Sequence, residues 1–324
     1  MIKMPLKVPL IIKQLEALKQ RLYQNHPKLP QIEYDLAKRW RGYRGEKAIQ
    51  YYLKLIDDSD LYIFNNLRLK IKDTFFEIDT LILTSYYFLI FQVKNYRGEE
   101  ISFENYFNQC TRTINGQRET IDDPLLQAKR HKILLINWLN KNKITMFIPM
   151  EEFVVISNSK CLITTSPNHP TARQKVIRPT GILSKVEWCN SKHMETKFSN
   201  KELRKLANSL LKNHVTELPN VLEYYQIPDE DIIKGISCPK CSFKPMVKIK
   251  GYWKCTNCST LSKNAYLKGI KDYVYLYGQE ITNKQLRDFF QISSRYVAKD
   301  ILQENCVNSS GKNSQTIYIL PLLE

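Results

Sequence analysis

Two short segments of the sequence carry side chains suited to phosphate chemistry. The first contains Asp79, and the second is the run Phe91-Gln-Val-Lys94. Residues i and i+2 of a β-strand share a face, so Gln92 and Lys94 point together while their apolar neighbours point to the other side. An unpaired buried polar group costs ~1–3 kcal/mol, so an apolar strand with Gln and Lys on one face indicates that a metal and a phosphate contact them there.

The chemistry that these residues predict is metal-assisted hydrolysis of a phosphodiester bond. Asp79 supplies a hard oxygen ligand for Mg²⁺ or Mn²⁺, and Glu46 supplies a second carboxylate from the helix that begins at Gly45. The ion polarises the scissile phosphate and lowers the pKa of a bound water. We expect Asp79 and the Gln92 carbonyl oxygen to hold the ion directly, and Glu46 to hold it directly or through water. Lys94 then stabilises the developing negative charge and orients the attacking water.

The spacing of these residues has a second interpretation, in which Gln92 and Lys94 belong to an edge strand and face solvent. The elements expected around them favour a buried sheet. Apolar periodicity and turn signals predict, in chain order, a helix over 45–56, strands over 61–69, 75–84 and 86–94, a polar stretch over 96–123, a helix over 124–140 and a strand over 153–156. This order is typical of an α/β core with a mixed sheet.

Four of the eight cysteines form two tight pairs, Cys238-Pro-Lys-Cys241 and Cys255-Thr-Asn-Cys258, with thirteen residues between the pairs. Zn²⁺ takes four thiolates tetrahedrally, and each pair supplies two of them. The spacer fits a short hairpin, which is the layout of a zinc ribbon. Four protein sulfurs leave no position for water, so the ion is expected to be structural. Two redox-active pairs are the alternative, but one redox site needs only one pair.

The last sixty residues predict three helices and a hairpin. The first helix runs over 262–277, the second opens with the capping box Thr282-Asn-Lys-Gln285, and the third is capped by Ser293 or Ser294. A turn and a strand over 316–320 follow. This order resembles a winged helix, whose third helix enters the major groove of DNA. The exposed basic residues that would contact DNA are Arg295, Lys299 and Lys312. A helical interaction domain of the same shape is the alternative.

Four motifs occur in the order found in a known family: Gly42-Tyr-Arg-Gly-Glu46, Glu77-Ile-Asp-Thr-Leu-Ile-Leu-Thr84, Phe91-Gln-Val-Lys-Asn-Tyr-Arg-Gly98 and Pro124-Leu-Leu-Gln127. Together they resemble the nuclease-related domain (NERD) of the PD-(D/E)xK nuclease superfamily, over roughly residues 40–160. The resemblance implies a restriction-endonuclease-like mixed sheet flanked by helices. It also implies an active-site set of Glu46, Asp79, Gln92 and Lys94, with Gln127 as an accessory residue. Gln92 stands where the superfamily usually has Glu, so the affinity for a metal ion is expected to be weaker.

These observations predict five segments along the chain. They are a helical extension over 1–40, the nuclease-related α/β domain over 41–160, the end of that domain with a linker helix over 161–236, the zinc ribbon over 237–260 and the winged-helix-like domain over 261–324. The formal net charge is +17, and basic residues interleave with aromatic ones, which favours nucleic acid as the partner over generic Lys-rich solubility.

The function that fits these features best is a metal-dependent nuclease that cuts DNA. The rival hypothesis is a non-catalytic DNA-binding or regulatory protein on a nuclease scaffold. An RNA-processing enzyme is a third hypothesis. The scattered remaining cysteines favour a reducing compartment, and no apolar stretch reads as a signal peptide or membrane span, so a cytoplasmic protein is expected. A second copy of the chain or other DNA-processing proteins are further expected partners.

Overall fold

The computed structural model describes residues 1–56, 61–144 and 147–322. The helices are α1 Leu10–Gln20, α2 Leu29–Lys54, α3 Pro124–Lys141, α4 Pro170–Lys175, α5 Ile182–Lys192, α6 Asn200–Asn213, α7 Val221–Tyr225, α8 Ala265–Tyr277, α9 Asn283–Phe290 and α10 Arg295–Asn305. The strands are β1 Ile2–Met4, β2 Tyr62–Ile71, β3 Thr74–Leu83, β4 Phe88–Lys94, β5 Glu100–Phe103, β6 Gln109–Ile114, β7 Gln117–Asp122, β8 Met150–Ile156, β9 Leu162–Thr165, β10 Val176–Ile177, β11 Val247–Ile249, β12 Tyr252–Lys254, β13 Leu261–Ser262, β14 Glu280–Thr282, β15 Asn308–Ser310 and β16 Ile317–Ile319.

The chain divides into two compact units. The first consists of residues 1–7 and 40–217, and the second of residues 8–39 and 218–324. The segment expected as an N-terminal extension therefore packs largely with the C-terminal part of the chain. Among the described residues, no helix is long and apolar enough to cross a membrane.

The first unit is built on a six-stranded sheet with the order β1-β2-β3-β4-β8-β10. The strands β2, β3 and β4 pair antiparallel, whereas β8 runs parallel to β4 and β10 runs parallel to β8. The antiparallel hairpins follow from short turns, and the parallel pairing of β4 with β8 requires the crossover that contains α3. The predicted mixed α/β sheet is confirmed.

Helices cover both faces of this sheet. On one face, Leu135 and Trp138 of α3 and Leu206 of α6 pack against Phe88 and other apolar residues of the strands. On the opposite face, a second core contains Ile49 of α2, Val186 of α5 and Phe91 of β4. Alternate residues of β4 thus enter different cores, as the period of two along a strand requires.

Two parts of the chain before residue 124 differ from the expected elements. Helix α2 begins at Leu29 rather than at Gly45, and Pro30 lies in its first turn, where a missing backbone N–H breaks no helical bond. The stretch over 96–123, for which only polar composition is predicted, contains β5, β6 and β7, and β5 pairs with β9 to complete a four-stranded sheet. These strands have a small apolar core of their own, because Ile101, Phe103 and Cys110 are buried beneath an otherwise polar surface. Apolar residues alternate with polar ones over only a few positions here.

The second unit contains the cysteine pairs and the last helices. Buried residues of α1, such as Leu15 and Leu18, belong to its core together with Ile270 and Val274 of α8. The predicted hairpin between the cysteine pairs is confirmed as β11 and β12, which join β13 in a three-stranded sheet. The buried guanidinium of Arg21 donates to Asp272 at 2.9 Å and so ties the end of α1 to α8.

The C-terminal elements follow the predicted order. Thr282 and Gln285 form the capping box of α9, and the Ser294 side chain caps α10 by accepting from the backbone N–H of Val297. Strand β14 precedes α9 and pairs antiparallel with β16, which also pairs with β15. A short three-stranded sheet therefore joins the segment before α9 to the hairpin after α10.

Candidate metal and nuclease site

Asp79 lies where two neighbouring strands of the central sheet separate. The ladder between β3 and β4 ends at the pair Thr80–Phe91. Beyond that pair, the Asp79 carboxylate replaces the missing backbone contacts: its Oδ2 accepts from the Gln92 side-chain Nε2 at 2.5 Å and from the Val93 backbone N–H at 2.7 Å. β4 meanwhile continues to pair with β8 as far as Lys94. Asp79, Gln92 and Lys94 therefore lie at one separation point of the sheet.

Glu46 reaches the site from α2 because a glycine lets the helix approach the sheet closely. A Cβ atom on Gly45 would lie 2.7 Å from Cβ of Asn95 and 2.8 Å from Oγ of Ser157, which leaves no room for any other residue. The Asn95 side chain also donates to the backbone carbonyl of Arg41 at 2.9 Å, so the residue after Lys94 fastens α2 at this point. The position of Glu46 thus follows from Gly45 and Asn95 together.

Asn66 is a site residue that the sequence did not single out. Its Nδ2 donates to Oε2 of Glu46 at 3.0 Å, and its backbone has φ of +53°, which non-glycine residues adopt rarely. The neighbouring Asn65 is buried and accepts from Gln50, one helical turn after Glu46, at 2.9 Å. Two consecutive amides inside the apolar run of β2 were the signal that could have identified this pair.

The electrostatics of the site are those of crowded carboxylates in a poorly solvated position. Burial, and then repulsion by Asp79, raises the pKa of Glu46 to about 8. Burial also raises the pKa of Asp79 to about 6, although Lys94 and the two hydrogen bonds oppose this shift. Burial lowers the pKa of Lys94, with Asp79, Asp122 and Glu46 opposing. Carboxylates whose charged forms are disfavoured in this way are suited to binding a cation.

The Gln92 amide bears on whether the residues fit a metal ion. Its side chain is 2% exposed, and its Oε1 atom has no hydrogen-bond partner. We expected the Asp79 and Gln92 oxygens to share an ion, but here the Gln92 NH₂ group faces Asp79 instead. Rotating the amide would bring its oxygen to the carboxylate, and a cation between the two would favour that orientation. The set of two carboxylates and one unpaired amide oxygen therefore fits a hard cation.

Helix α3 supplies the cationic side of the site. Gln127, the expected accessory residue, is half-buried in its first turn, and no hydrogen bond of its side chain to the other four residues is seen within the described ranges. Arg130, in the next turn of α3, does influence the site, because its positive charge lowers the pKa of Lys94. Burial, and then Arg130 and Lys94, lowers the pKa of His131 to about 4, and Nδ1 of this buried histidine has no partner. Helical spacing of three and four from Gln127 could have indicated both residues.

The four paired cysteines converge in the second unit. The Sγ atoms of Cys238 and Cys258 lie 3.6 Å apart, as do those of Cys241 and Cys255, and all four sulfurs lie within 4.8 Å of one another. Tetrahedral Zn–S bonds of about 2.3 Å would separate the sulfurs by about 3.8 Å. The cluster therefore fits a zinc ion, as the spacing predicts.

The basic residues expected to contact DNA are all exposed. Arg295 and Lys299 lie one turn apart on α10, whose buried side carries Ala298 and Ile301. Lys312 lies between β15 and β16. The structure thus gives these residues an accessible position, and their role stays a prediction.

Comparison with known proteins finds a family match within the first unit. Residues 41–157 match the family model described as Nuclease-related domain, in agreement with the resemblance read from the four motifs. The match covers about a third of the chain and contains every residue of the candidate site. No curated protein and no solved structure matched the chain. Residues 41–157 of the first unit therefore match a nuclease-related domain, which supports a nuclease-related function.

Proposed function

We propose that the chain is a Mg²⁺-dependent nuclease that hydrolyses phosphodiester bonds in DNA. The observation that carries the proposal is the convergence of Glu46, Asp79 and Lys94 where β3 and β4 separate, with the pKa of both carboxylates raised. A purely structural ion pair would need only one carboxylate for one lysine. The second, half-buried carboxylate, together with the unpaired oxygen of Gln92, favours the binding of a further cation at this position.

In this proposal each side chain has a distinct task. Bound Mg²⁺ (or Mn²⁺) supplies Lewis-acid polarisation of the phosphate and a water of lowered pKa. Asp79, Glu46 and the Gln92 side-chain oxygen would hold the ion, and Asn66 fixes the Glu46 carboxylate through its hydrogen bond. Lys94 places its ammonium group beside the charge that develops on the phosphate oxygens, where a fixed donor in a dry site contributes most.

The second unit would hold the DNA. The order of α8, β14, α9, α10 and the hairpin of β15 and β16, in which β16 pairs with β14, supports the proposal of a winged helix, and α10 would be its recognition helix. Residues 237–324 carry a net charge of +7, which suits a polyanion. We further propose that Zn²⁺ occupies the four-cysteine cluster as a structural ion and keeps the ribbon folded.

A non-catalytic DNA-binding protein is the second candidate, and the Gln92–Asp79 hydrogen bond favours it. Gln92 stands at a position where a carboxylate would strengthen metal binding, and its NH₂ group neutralises part of the Asp79 acceptor capacity. A scaffold that no longer needs an ion would be stabilised by that contact. The two candidates differ in whether the site turns over a substrate.

Cleavage by the purified full chain separates these candidates. Supercoiled, linear and single-stranded DNA, and an RNA of the same sequence, are incubated with and without Mg²⁺. Asp79→Asn keeps the size of the side chain and removes its charge, and Lys94→Ala removes the ammonium group; each should lower the rate by roughly 10²–10³-fold. Exposed Asp73 and Lys72, in the turn between β2 and β3, provide matched control variants that should cut like wild type.

Three results would reject the nuclease. They are no cleavage with any metal, cleavage that persists in Asp79→Asn and Lys94→Ala, or an equal loss in the control variants. Faster cleavage of the RNA than of any DNA would instead move the substrate class to RNA.

A further inference from the structure

The three-stranded sheet of the ribbon exposes apolar and aromatic side chains on one face. Directly opposed residues of antiparallel strands share a face, so the rows Val247–Lys254–Leu261 and Ile249–Tyr252 lie on the same side. We call these five residues the ribbon face. Leu261 is 55% exposed and Tyr252 is 39% exposed, whereas Trp253, on the other side of the same strand, is fully buried. The apolar residues of the ribbon face are therefore surplus to the core of the ribbon.

The segment that carries this apolar surface contains lysines and no acidic residue. Residues 237–263 contain six lysines and no aspartate or glutamate. Lys254 lies on the ribbon face itself, Lys250 lies in the turn between β11 and β12, and Lys263 follows β13. The Lys263 Nζ lies 5.3 Å from the centroid of the Tyr252 ring, which places a cation beside the one aromatic ring of the face. A ligand that covers the ribbon face must therefore be both polyanionic and able to contact apolar surface.

We infer that the ribbon face binds a single-stranded segment of nucleic acid. Single strands present unstacked bases as well as phosphates, and proteins bind them with aromatic platforms lined by basic residues. A duplex keeps its base faces inside the stack, so it would leave Tyr252 and Leu261 without a ligand group to contact. In the inferred complex, a base stacks on Tyr252, a second packs on Leu261, and Lys254 and Lys263 contact the intervening phosphates.

The inference rests on the proposed function, because it assigns a single-stranded region of the nuclease substrate to the second unit. It also divides the tasks within that unit. The ribbon face would bind an unpaired strand, whereas α10 would bind duplex DNA. Binding measured without cleavage separates the two proposals.

Fluorescence anisotropy on full-length, zinc-loaded Asp79→Asn protein without added Mg²⁺ tests the ribbon face. The probes are a labelled oligo(dT) of about 15 nucleotides, near the upper site size of small single-strand-binding folds, and a labelled duplex of equal length. Tyr252→Ala should weaken oligo(dT) binding by roughly 5- to 150-fold, the range found when a stacking aromatic is removed. The affinity for the duplex should fall far less. Tyr23→Ala, which removes an exposed tyrosine elsewhere in the same unit, is the matched control.

Zinc content and the thermal transition of each variant establish that the ribbon is folded, and Leu261→Ser provides a second, milder change to the same face. Equal affinities of Tyr252→Ala and Tyr23→Ala for oligo(dT) would overturn the inference. So would an equal loss of oligo(dT) and duplex binding, since the face would then act through charge alone. If the wild type cuts nothing but the ribbon variants selectively lose oligo(dT), the proposed nuclease fails and the ribbon face stands.

Discussion

Replacing Gln92 by glutamate should make the stability of the first unit depend on a divalent cation. The Gln92 Nε2 atom donates to Asp79 at 2.5 Å inside a position that is 2% exposed. An ionised glutamate has no hydrogen to donate, and Gln92→Glu therefore sets a second carboxylate against the first. A cation held between the two carboxylates reverses the sign of this interaction.

The size of the effect follows from two contributions. Loss of a hydrogen bond to a charged group costs about 1.5–3 kcal/mol. Repulsion between two carboxylates about 4 Å apart is about 4 kcal/mol at an effective dielectric constant of 20, and this is an upper value because the pair can take up a proton. Gln92→Glu should thus lower the free energy of unfolding by roughly 3–6 kcal/mol without Mg²⁺, and saturating Mg²⁺ should restore most of that loss.

Thermal and urea unfolding of zinc-loaded protein, with and without Mg²⁺, measures this linkage. Gln92→Met is the matched control, because it removes the same hydrogen bond without adding charge. It should lose only about 1.5–3 kcal/mol and should respond to Mg²⁺ no more than wild type does. In the cleavage assay, Gln92→Glu should retain or exceed the wild-type rate at saturating Mg²⁺.

Equal stabilities of Gln92→Glu and Gln92→Met in the absence of Mg²⁺ would refute the electrostatic reasoning. A Gln92→Glu protein that stays destabilised at saturating Mg²⁺ would show that the carboxylates do not share an ion. If both wild type and Gln92→Glu also fail to cut any substrate, the scaffold candidate becomes the better account.

Three further predictions concern other parts of the chain. Metal analysis should find about one zinc per chain, and Cys258→Ser should lose that zinc while the first unit keeps its own unfolding transition. Arg295→Ala and Lys299→Ala should each weaken duplex binding and reduce the salt dependence of the binding constant by about one phosphate contact; unchanged salt slopes would remove α10 from the DNA interface. Burial alone would raise the pKa of Glu151, but hydrogen bonds from Lys175, Lys192 and His193 lower it from 4.5 to about 2. This carboxylate therefore stabilises the fold above pH 4.5 and loses that effect as the pH falls towards 2. Glu151→Gln should therefore cost up to about 3 kcal/mol in urea unfolding at pH 7 and clearly less at pH 3, and an equal cost at both pH values would contradict the assignment.

An element could be predicted from the sequence wherever its signal lay within a few neighbouring residues. The capping box at Thr282, the proline in the first turn of α3 and the spacing of the paired cysteines each depend on residues within a few positions of one another. The alternation in β4 also needed no tertiary information, since Phe91 enters an apolar core and Gln92 lies on the opposite side. These features were sufficient to predict the central sheet, the ribbon hairpin and the last helices.

Features that depend on distant contacts were not predictable in the same way. Helix α2 as a whole shows little amphipathic pattern, so periodicity could not extend the helix back from Gly45 to Leu29. The pairing of β5 with β9 joins segments about sixty residues apart, and each strand has only four residues. Strands this short carry too few alternating positions to be distinguished from loops.

The direction of the Asp79 side chain depends on a break in the regular alternation of side chains along the strand. No pattern in the sequence predicts this break. Regular alternation would place residues three apart on opposite faces of a strand, yet Phe64 and Leu67 of β2 enter the same core, and so do Ile78 and Leu81 of β3. Both reversals occur at the same level of the sheet, beside Asn66.

A left-handed Asn66 accounts for the reversal in β2, and the two strands resume pairing on either side of it, at Asn65–Thr80 and Leu67–Ile78. Such a conformation in a non-glycine residue costs about 1–3 kcal/mol and persists only where its surroundings favour it. Here the Asn66 amide holds Glu46 and the reversal leaves the Asp79 carboxylate free to face Gln92 and Val93. Simple alternation along the strands does not predict this irregularity. The irregularity is therefore the feature that brings the two carboxylates of the site together.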